Sequence, residues 1–128
     1  MVISEEKKDG RKRIGNLGEE KAASYLNENG YELVSRNFRT RSGEIDIIAK
    51  KGNVLVFFEV KTFPLGTREL LERVLSEIKQ KRIIKTAKCF LAKHRQYSNA
   101  CIRFDVIVND MPGLPGIYHI ENAFAELI

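Results

Sequence analysis

Apolar positions recur first at helical spacing and then at strand spacing along this chain. Between Asn16 and Gly30, Leu17, Ala22, Ala23 and Leu26 recur at helical spacing, which predicts an amphipathic helix that ends at the glycine. The segments that follow alternate or run apolar over short stretches between turn residues, which predicts strands. Three strands are expected in this part of the chain, at about 31–38, 44–50 and 54–61.

The turn Lys51-Gly52-Asn53 is short enough to join the second and third strands as an antiparallel hairpin. The third strand is apolar on both faces, which is typical of a central strand covered on each side. Thr67 to Leu75 is expected to form a short helix or a loop, and Ser76 is predicted to cap a helix over 77–93. The rest is predicted as a strand, a short strand and a terminal helical turn, at 101–108, 117–120 and 122–127.

This order of elements predicts an α/β (α+β) fold in which a central mixed sheet is flanked by helices. A length of 128 residues favours one domain, placed at 16–128 after a flexible, charged N-terminal arm over 1–15. The arm lacks the apolar core of a signal peptide, and no apolar run approaches the length of a membrane helix, so a cytoplasmic protein is expected. Cys89 and Cys101 lie in apolar contexts and are predicted to be buried, reduced thiols.

The charge is unevenly distributed. The formal net charge is +5, and residues 78–104 hold eight basic residues and no acid. Lys81, Lys85 and Lys88 recur at helical spacing on one face of the predicted helix. A polyanion would fit such a patch, but a solvated helix face that aids solubility explains the charge equally well.

Three charged residues lie inside apolar strands, where an unpaired charge is costly. Asp46 is flanked by isoleucines, while Glu59 and Lys61 end the Val/Phe-rich third strand. Because side chains alternate across a strand, Glu59 and Lys61 share one face, and Glu44, Asp46 and Ile48 share one face of the neighbouring strand. The three charges are therefore expected close together near the end of the third strand.

Two carboxylates on neighbouring strands can hold one hard divalent cation, Mg²⁺ or Mn²⁺. The expected ligands are Asp46, Glu59 and the backbone carbonyl of Val60, taken as an exposed bulge. Lys61 would orient or deprotonate the attacking water, or neutralise charge in the transition state. With a cationic helix nearby, a phosphodiester backbone is the substrate class that fits. The alternative is structural, because an Asp in a strand commonly serves only as a hydrogen-bond acceptor.

The remaining polar residues carry weaker expectations. His94 and His119 have no neighbouring ligand in the sequence and are expected to have no metal or catalytic role. Asp105, between Phe104 and Val106, is expected to anchor an arginine such as Arg103 or Arg36. Phosphate contacts are one interpretation of the basic residues around the turn before Asp46, and solvated loop charge is the other. These residues are Arg36, Arg39 and Arg41.

Asp46 followed by Glu59-Val60-Lys61 resembles the PD-(D/E)xK signature of the restriction-endonuclease-like nucleases, with Ile45 in place of the usual proline. The chain is still more similar to the bacterial YraN-like family within that superfamily, nearly throughout from Asn16. One departure is Phe63, which stands where an arginine is usual. The matching segments are Gly18-Glu19 with Ala22, Gly30-Tyr31, Arg36-Asn37-Phe38-Arg39, Gly43 to Ala49, Phe58 to Thr62, Lys79-Gln80 with Arg82-Ile83, Arg103-Phe104-Asp105 and Asn122-Ala123-Phe124.

The resemblance implies the αβββαβ core of archaeal Holliday-junction resolvases. It also implies that an acid of the first helix, Glu19 rather than Glu20, joins the site as a second-metal or water ligand. As a first-turn acid, Glu19 would equally serve to complement the helix dipole. A residue of the later helix completes such sites, and Lys79 and Gln80 stand at that position.

The expected function is therefore metal-dependent endonucleolytic hydrolysis of DNA, in branched or flapped structures, with a homodimer plausible because cutting two strands needs two sites. The alternatives are a non-catalytic nucleic-acid-binding module that keeps the nuclease fold, and an interaction subunit whose basic ridge meets an acidic protein. Backbone contacts are expected from Lys79, Gln80, Lys81, Arg82, Lys85, Lys88, Arg36, Arg39 and Arg41.

Overall fold

The computed structural model describes residues 16–126, apart from the side chain of Val74. The expected arm over 1–15 lies outside the described residues. In chain order the elements are helix α1 (16–28), strands β1 (Glu32–Thr40), β2 (Gly43–Lys51) and β3 (Val54–Thr62), helices α2 (Arg68–Val74) and α3 (Glu77–Lys93), a 3₁₀ turn (Arg95–Tyr97), and strands β4 (Cys101–Asn109) and β5 (Ile117–Phe124).

The strands form one mixed sheet in the order β1-β2-β3-β4-β5. Only β3 and β4 run parallel, and the other neighbours are antiparallel. A parallel pair needs a long crossover, which α2 and α3 supply. The predicted αβββαβ order and the β2–β3 hairpin are confirmed. In that hairpin Gly52 takes a φ of 59° at the turn.

Helices cover the sheet on both faces, which makes three layers. On one face Leu26 of α1 packs with Val56 and Phe58 of β3. On the other face Phe57 of β3 packs with Phe90 of α3. The two clusters use alternate residues of β3, so the prediction of a central strand covered on both sides is confirmed. Burial on both faces fixes the register of β3, because a one-residue slip would exchange its two sets of side chains.

Helix α3 has the predicted bounds because its ends are marked in the sequence. The Ser76 side chain accepts a hydrogen bond from the Lys79 N–H, and the helix ends before His94. Thr67 caps α2 in the same way through the Leu70 N–H. No helix in the described part of the chain is long and apolar enough to cross a membrane.

The predicted helical turn over 122–127 is wrong within the described residues, because β5 continues to Phe124. Two contacts hold this segment extended. The Phe124 ring stacks on Phe104 of β4, with ring centroids 5.1 Å apart. The backbone N–H of Asn122 donates to Asp105 Oδ1 at 2.9 Å, in a kink where Asn122 has a φ of 51°. Tertiary packing therefore overrides the local helical pattern.

Asp105 is the centre of a buried polar cluster on the α1 face of the sheet. It accepts two hydrogen bonds from Arg103, which confirms the expected arginine anchor. It also accepts one from His119 Nε2 at 2.7 Å, and His119 Nδ1 forms a hydrogen bond with the Tyr25 hydroxyl at 3.1 Å. Burial raises the pKa of Asp105, but the His119, Arg103 and backbone donors outweigh burial and lower it overall. The partners of His119 were missed in the sequence because they lie on α1 and β4.

The prediction that both cysteines are buried is wrong. Both are free thiols, but Cys89 is only partly buried and Cys101 is exposed. Cys101 is the first residue of β4 and pairs with Val54, the first residue of β3. The side chain therefore lies at an open end of the sheet, where the apolar sequence context did not predict exposure.

Candidate functional site

The predicted carboxylates meet in a pocket of about 570 Å³ at the end of the sheet where β2 and β3 part. The pocket receives Glu19 from α1 on one side of the sheet and Lys79 from α3 on the other. The charges of the pocket therefore come from both helical layers. Strand alternation had instead predicted charges on a single face of the sheet. Its lining residues are Glu19, Glu44, Asp46, Glu59, Val60, Lys61, Thr62, Phe63, Pro64 and Lys79.

The pocket opens because the β2–β3 ladder stops at the pair Ile47 and Phe58. Beyond this pair the Asp46 side chain replaces the missing backbone partner, and its Oδ2 accepts the Val60 N–H at 2.8 Å. The N–H and C=O of a strand residue point toward the same neighbouring strand. The Val60 carbonyl therefore faces the gap beside Asp46. Val60 itself is buried and paired with Ile107 of β4, so it is not the exposed bulge that was predicted.

Asn37 of β1 is a site residue that sequence reasoning missed. Its φ of 54° interrupts the alternation of β1, so that Arg36 contacts α1 whereas Phe38 packs on Phe90 of α3. With its amide nitrogen turned toward the carboxylates, Asn37 donates to both Glu19 and Glu44 at 3.2 Å. A left-handed asparagine within a strand has no signature in the sequence beyond its own residue type.

Glu19 reaches the pocket because α1 approaches the sheet very closely. A Cβ placed on Gly18 would lie 2.2 Å from Thr62 Oγ1 and 3.1 Å from Asn109 Nδ2, so only glycine fits there. Glu19 then lines the pocket, whereas Glu20 is largely exposed and holds Arg36 at 2.7 Å. Of these two acids, Glu19 is therefore the one that reaches the pocket.

Glu59 is the most deeply buried acid of the pocket, with a side chain 5% exposed. Its Oε1 lies 3.4 Å from Lys79 Nζ and 3.9 Å from Lys61 Nζ. Burial raises the pKa of Glu59, and the two lysines offset only part of that rise. Lys61 therefore lies beside the acid with which it shares a strand, and α3 contributes a second ammonium group.

Asp46 has the most strongly perturbed acidity of the site. Burial, followed by the negative charge of Glu59, raises the pKa of Asp46 to about 7, against the opposing hydrogen bond from Val60. Burial likewise raises the pKa of Glu19. Three carboxyl groups in one pocket are thus held in surroundings that disfavour their charged forms, which is a feature typical of functional sites.

The donor set of the pocket fits a hard cation. Asp46, Glu59 and the Val60 carbonyl offer oxygen ligands, which Mg²⁺ and Mn²⁺ prefer. Burial raises the pKa of both Asp46 and Glu59, and the charge of Glu59 adds to the rise at Asp46, while the pocket's lysines offset only part of the rise at Glu59. Within residues 16–126, no group of three or more His, Cys, Asp or Glu side chains is placed to hold a metal ion. A cation here would therefore depend on the backbone carbonyl and on water.

The remaining predicted contact residues do not gather at this pocket. Lys81, Lys85 and Lys88 line a separate pocket of about 310 Å³, with Glu77 and Glu126. Lys88 forms an ion pair with Glu126. The Gln80 amide also lies there, and donates to the Leu75 carbonyl at 2.5 Å.

The predicted arginines divide into two groups. Arg36 holds Glu20 at 2.7 Å and lies 3.9 Å from Glu19. Arg39 Nε lies 3.2 Å from Glu44 Oε1. Arg41 and Arg82 instead line a pocket next to the carboxylates.

The chain belongs to the uncharacterised protein family UPF0102, whose family model matches residues 18–108. A UPF0102 protein from Geobacter metallireducens is 46% identical over 114 residues, which cover 88% of this chain and 93% of the relative. A relative from Treponema pallidum subsp. pallidum is 42% identical, covering 91% of this chain and 96% of its own length. A relative from Caldicellulosiruptor saccharolyticus is 38% identical, and the match covers 89% of this chain and 98% of the relative.

Proposed function

We propose that this UPF0102 protein is a metal-dependent endonuclease that hydrolyses phosphodiester bonds of DNA and belongs to the PD-(D/E)xK superfamily. The observation that carries the proposal is the convergence of Asp46, Glu59, the Val60 carbonyl and Lys61 in one pocket. The αβββαβ order and the mixed sheet are consistent with a nuclease-like core.

In this proposal Asp46, Glu59 and the Val60 carbonyl would hold Mg²⁺ or Mn²⁺. When bound, it supplies Lewis-acid polarisation of the phosphate and lowers the pKa of a bound water. With its amide nitrogen turned toward the carboxylates, Asn37 donates to Glu19. In this proposal Glu19 orients a water from the α1 side of the pocket.

In this proposal Lys61 acts on the substrate. Its ammonium group lies at the pocket, 3.9 Å from Glu59, and its side chain is partly exposed. It can orient the attacking water or balance charge that develops on the phosphate oxygens. Lys79 occupies the other side of Glu59 and keeps that carboxylate in place from α3.

The test is a cleavage panel of linear duplex, flapped and four-way DNA with Mg²⁺ or Mn²⁺. Cutting by the wild-type protein is expected, and both Asp46→Asn and Lys61→Met should lower the rate by at least about 100-fold. Asp46→Asn retains an oxygen to accept the Val60 N–H, so its DNA affinity should remain near that of the wild type. Absence of cutting on every substrate, with both metals and across a broad salt range, would sink the proposal.

The second candidate is a non-catalytic nucleic-acid-binding module with the nuclease fold. The lysines that contact Glu59 favour it, because they already provide part of the positive charge that a metal would bring. Calorimetric titration of Mn²⁺ into wild type and Asp46→Ala separates the two functions. Equal heats from both proteins would favour the binding module over the nuclease.

A further inference from the structure

A second pocket of about 350 Å³ adjoins the carboxylate pocket and shares Glu44 and Lys79 with it. It lies between the turn that joins β1 to β2 and the first turns of α3. Two exposed arginines, Arg41 from the turn and Arg82 from the helix, line it. The pocket thus places two guanidinium groups beside the proposed catalytic residues.

The pocket is built by the close approach of the turn to α3. A Cβ on Gly43 would lie 3.4 Å from Thr86 Oγ1 and 3.7 Å from Arg82 Cβ, and Gly43 has a φ of 153°. The Thr86 hydroxyl donates a hydrogen bond to the Arg82 carbonyl at 2.8 Å. Inside the turn, the Ser42 N–H donates to Thr40 Oγ1 at 3.1 Å. The juxtaposition of the arginines therefore follows from a defined backbone contact.

The charge of this pocket is not neutralised from within. In the part of the chain that the structure describes, no carboxylate lies within 4 Å of Arg41 or Arg82, whereas Arg36 and Arg39 each have such a partner. Glu44 is the one acid among the lining residues. Its carboxylate is already engaged by Arg39 at 3.2 Å and by Asn37.

We infer that this pocket binds a backbone phosphate of the same nucleic-acid strand whose neighbouring phosphodiester enters the carboxylate pocket. Guanidinium groups match phosphate oxygens in a forked geometry and form strong charge-assisted hydrogen bonds with them. Lys79, which lines both pockets, lies on the path between the two phosphates. The inference rests on the proposed function.

The nucleic-acid strand would follow a definite path over the β1–β2 turn and the start of α3. The predicted lysine ridge of Lys81, Lys85 and Lys88 faces a different pocket, where Glu77 and Glu126 reduce its positive charge. Two surfaces of α3 thus compete as the phosphate-binding face, and they can be separated by substitution.

The experiment measures the binding of a labelled 20-mer, as single strand and as duplex, by fluorescence anisotropy in EDTA at several salt concentrations. Arg41→Gln/Arg82→Gln should weaken binding by about tenfold or more, and the slope of log affinity against log salt should fall by about 1 because the one phosphate held in the pocket is no longer neutralised. The matched control is Arg68→Gln/Arg73→Gln on α2, which removes the same two charges and should change affinity less than about threefold.

Three results would overturn the inference. Equal losses in the two arginine doubles would mean that net charge alone acts. A larger loss in Lys81→Gln/Lys85→Gln would move the strand to the lysine ridge. Binding of inorganic phosphate or a mononucleotide as tightly as the 20-mer would mean a small-anion pocket and not a strand path.

The same measurements distinguish a failure of the arginine pocket from a failure of the proposed nuclease function. If Arg41→Gln/Arg82→Gln binds and cuts DNA like the wild type, only the arginine pocket is refuted. If the wild-type protein binds the DNA and the arginine double loses that binding, but no substrate is cut, the pocket stands and the nuclease proposal fails. If the wild type binds no nucleic acid, both are refuted. Urea unfolding of each variant checks that the fold is kept.

Discussion

Replacing Asp46 by asparagine should make the metal-free protein more stable at neutral pH. The Asp46 carboxyl is mostly buried, and burial together with the charge of Glu59 raises its pKa to about 7. An asparagine keeps the side-chain oxygen that accepts the Val60 N–H at 2.8 Å. It removes the negative charge that the pocket disfavours. The substitution therefore isolates the cost of holding that charge.

The magnitude follows from the shift in acidity. The pKa of Asp46 rises from 3.8 to about 7. One pKa unit corresponds to about 1.36 kcal/mol, so the charged carboxylate costs up to about 4 kcal/mol in the folded state. Because the pKa of Asp46 is raised in the folded state, the wild type avoids this cost below about pH 4, where the carboxyl is protonated in both states. The free energy of unfolding of the wild type then falls as the pH rises to about 7. Asp46→Asn should lack that loss.

The assay is urea unfolding in EDTA between pH 4 and pH 8. The stability advantage of Asp46→Asn over the wild type should grow by about 1.36 kcal/mol per pH unit and level off above about pH 7. The control is Asp110→Asn, because Asp110 is an exposed acid in an ion pair with Lys21 and has a φ of 58° that asparagine tolerates. If the wild-type and Asp46→Asn curves run parallel, the account of Asp46 as an uncompensated buried charge is refuted.

Two further substitutions test how the site and the core are held together. Gly18→Ala should destabilise the protein by about 1 to 3 kcal/mol in urea unfolding, because the new Cβ collides with Thr62 Oγ1, and Thr62→Ala should restore part of the loss. Asp105→Asn should cost about 3 kcal/mol, because Arg103 and His119 lose their shared buried acceptor. The pKa of Asp105 is lowered in the folded state, so the charged carboxylate stabilises the wild-type protein above about pH 4. That stabilisation is lost as the pH falls through the folded pKa. The difference in unfolding free energy between the wild type and Asp105→Asn should therefore shrink in acid.

The elements with local signals could be read from the sequence. Ser76 marks the start of α3, and the structure places the helix at the predicted bounds. The apolar run of β3 and the turn at Gly52 predicted the central hairpin, because burial on both faces and turn chemistry are encoded locally. The C-terminal segment was misread because its extended form depends on Asp105 and Phe104 of β4, which lie far from it in the sequence.

The site was predictable only in part, for the same reason. Strand alternation brought Asp46 and Glu59 together, and the resemblance to known nucleases added Glu19. Neither could indicate Asn37, whose left-handed backbone and amide contacts arise from the meeting of β1, β2 and α1. The basic ridge was also expected at the carboxylates. Helical spacing groups its lysines correctly but does not determine which way the helix is rotated about the sheet.

Two aspartates that are both flanked by apolar residues have opposite electrostatic surroundings in the fold. Asp46 lies between isoleucines, and Asp105 lies between Phe104 and Val106. The fold surrounds Asp105 with an arginine, a histidine and a backbone donor, and its pKa falls. Asp46 receives one backbone donor and a second buried acid, Glu59, and its pKa rises. Folding alone would favour an uncharged residue at Asp46. A carboxylate at that cost is therefore best explained by a positively charged species from outside the chain, which is the role that the proposed function gives to Mg²⁺ or Mn²⁺.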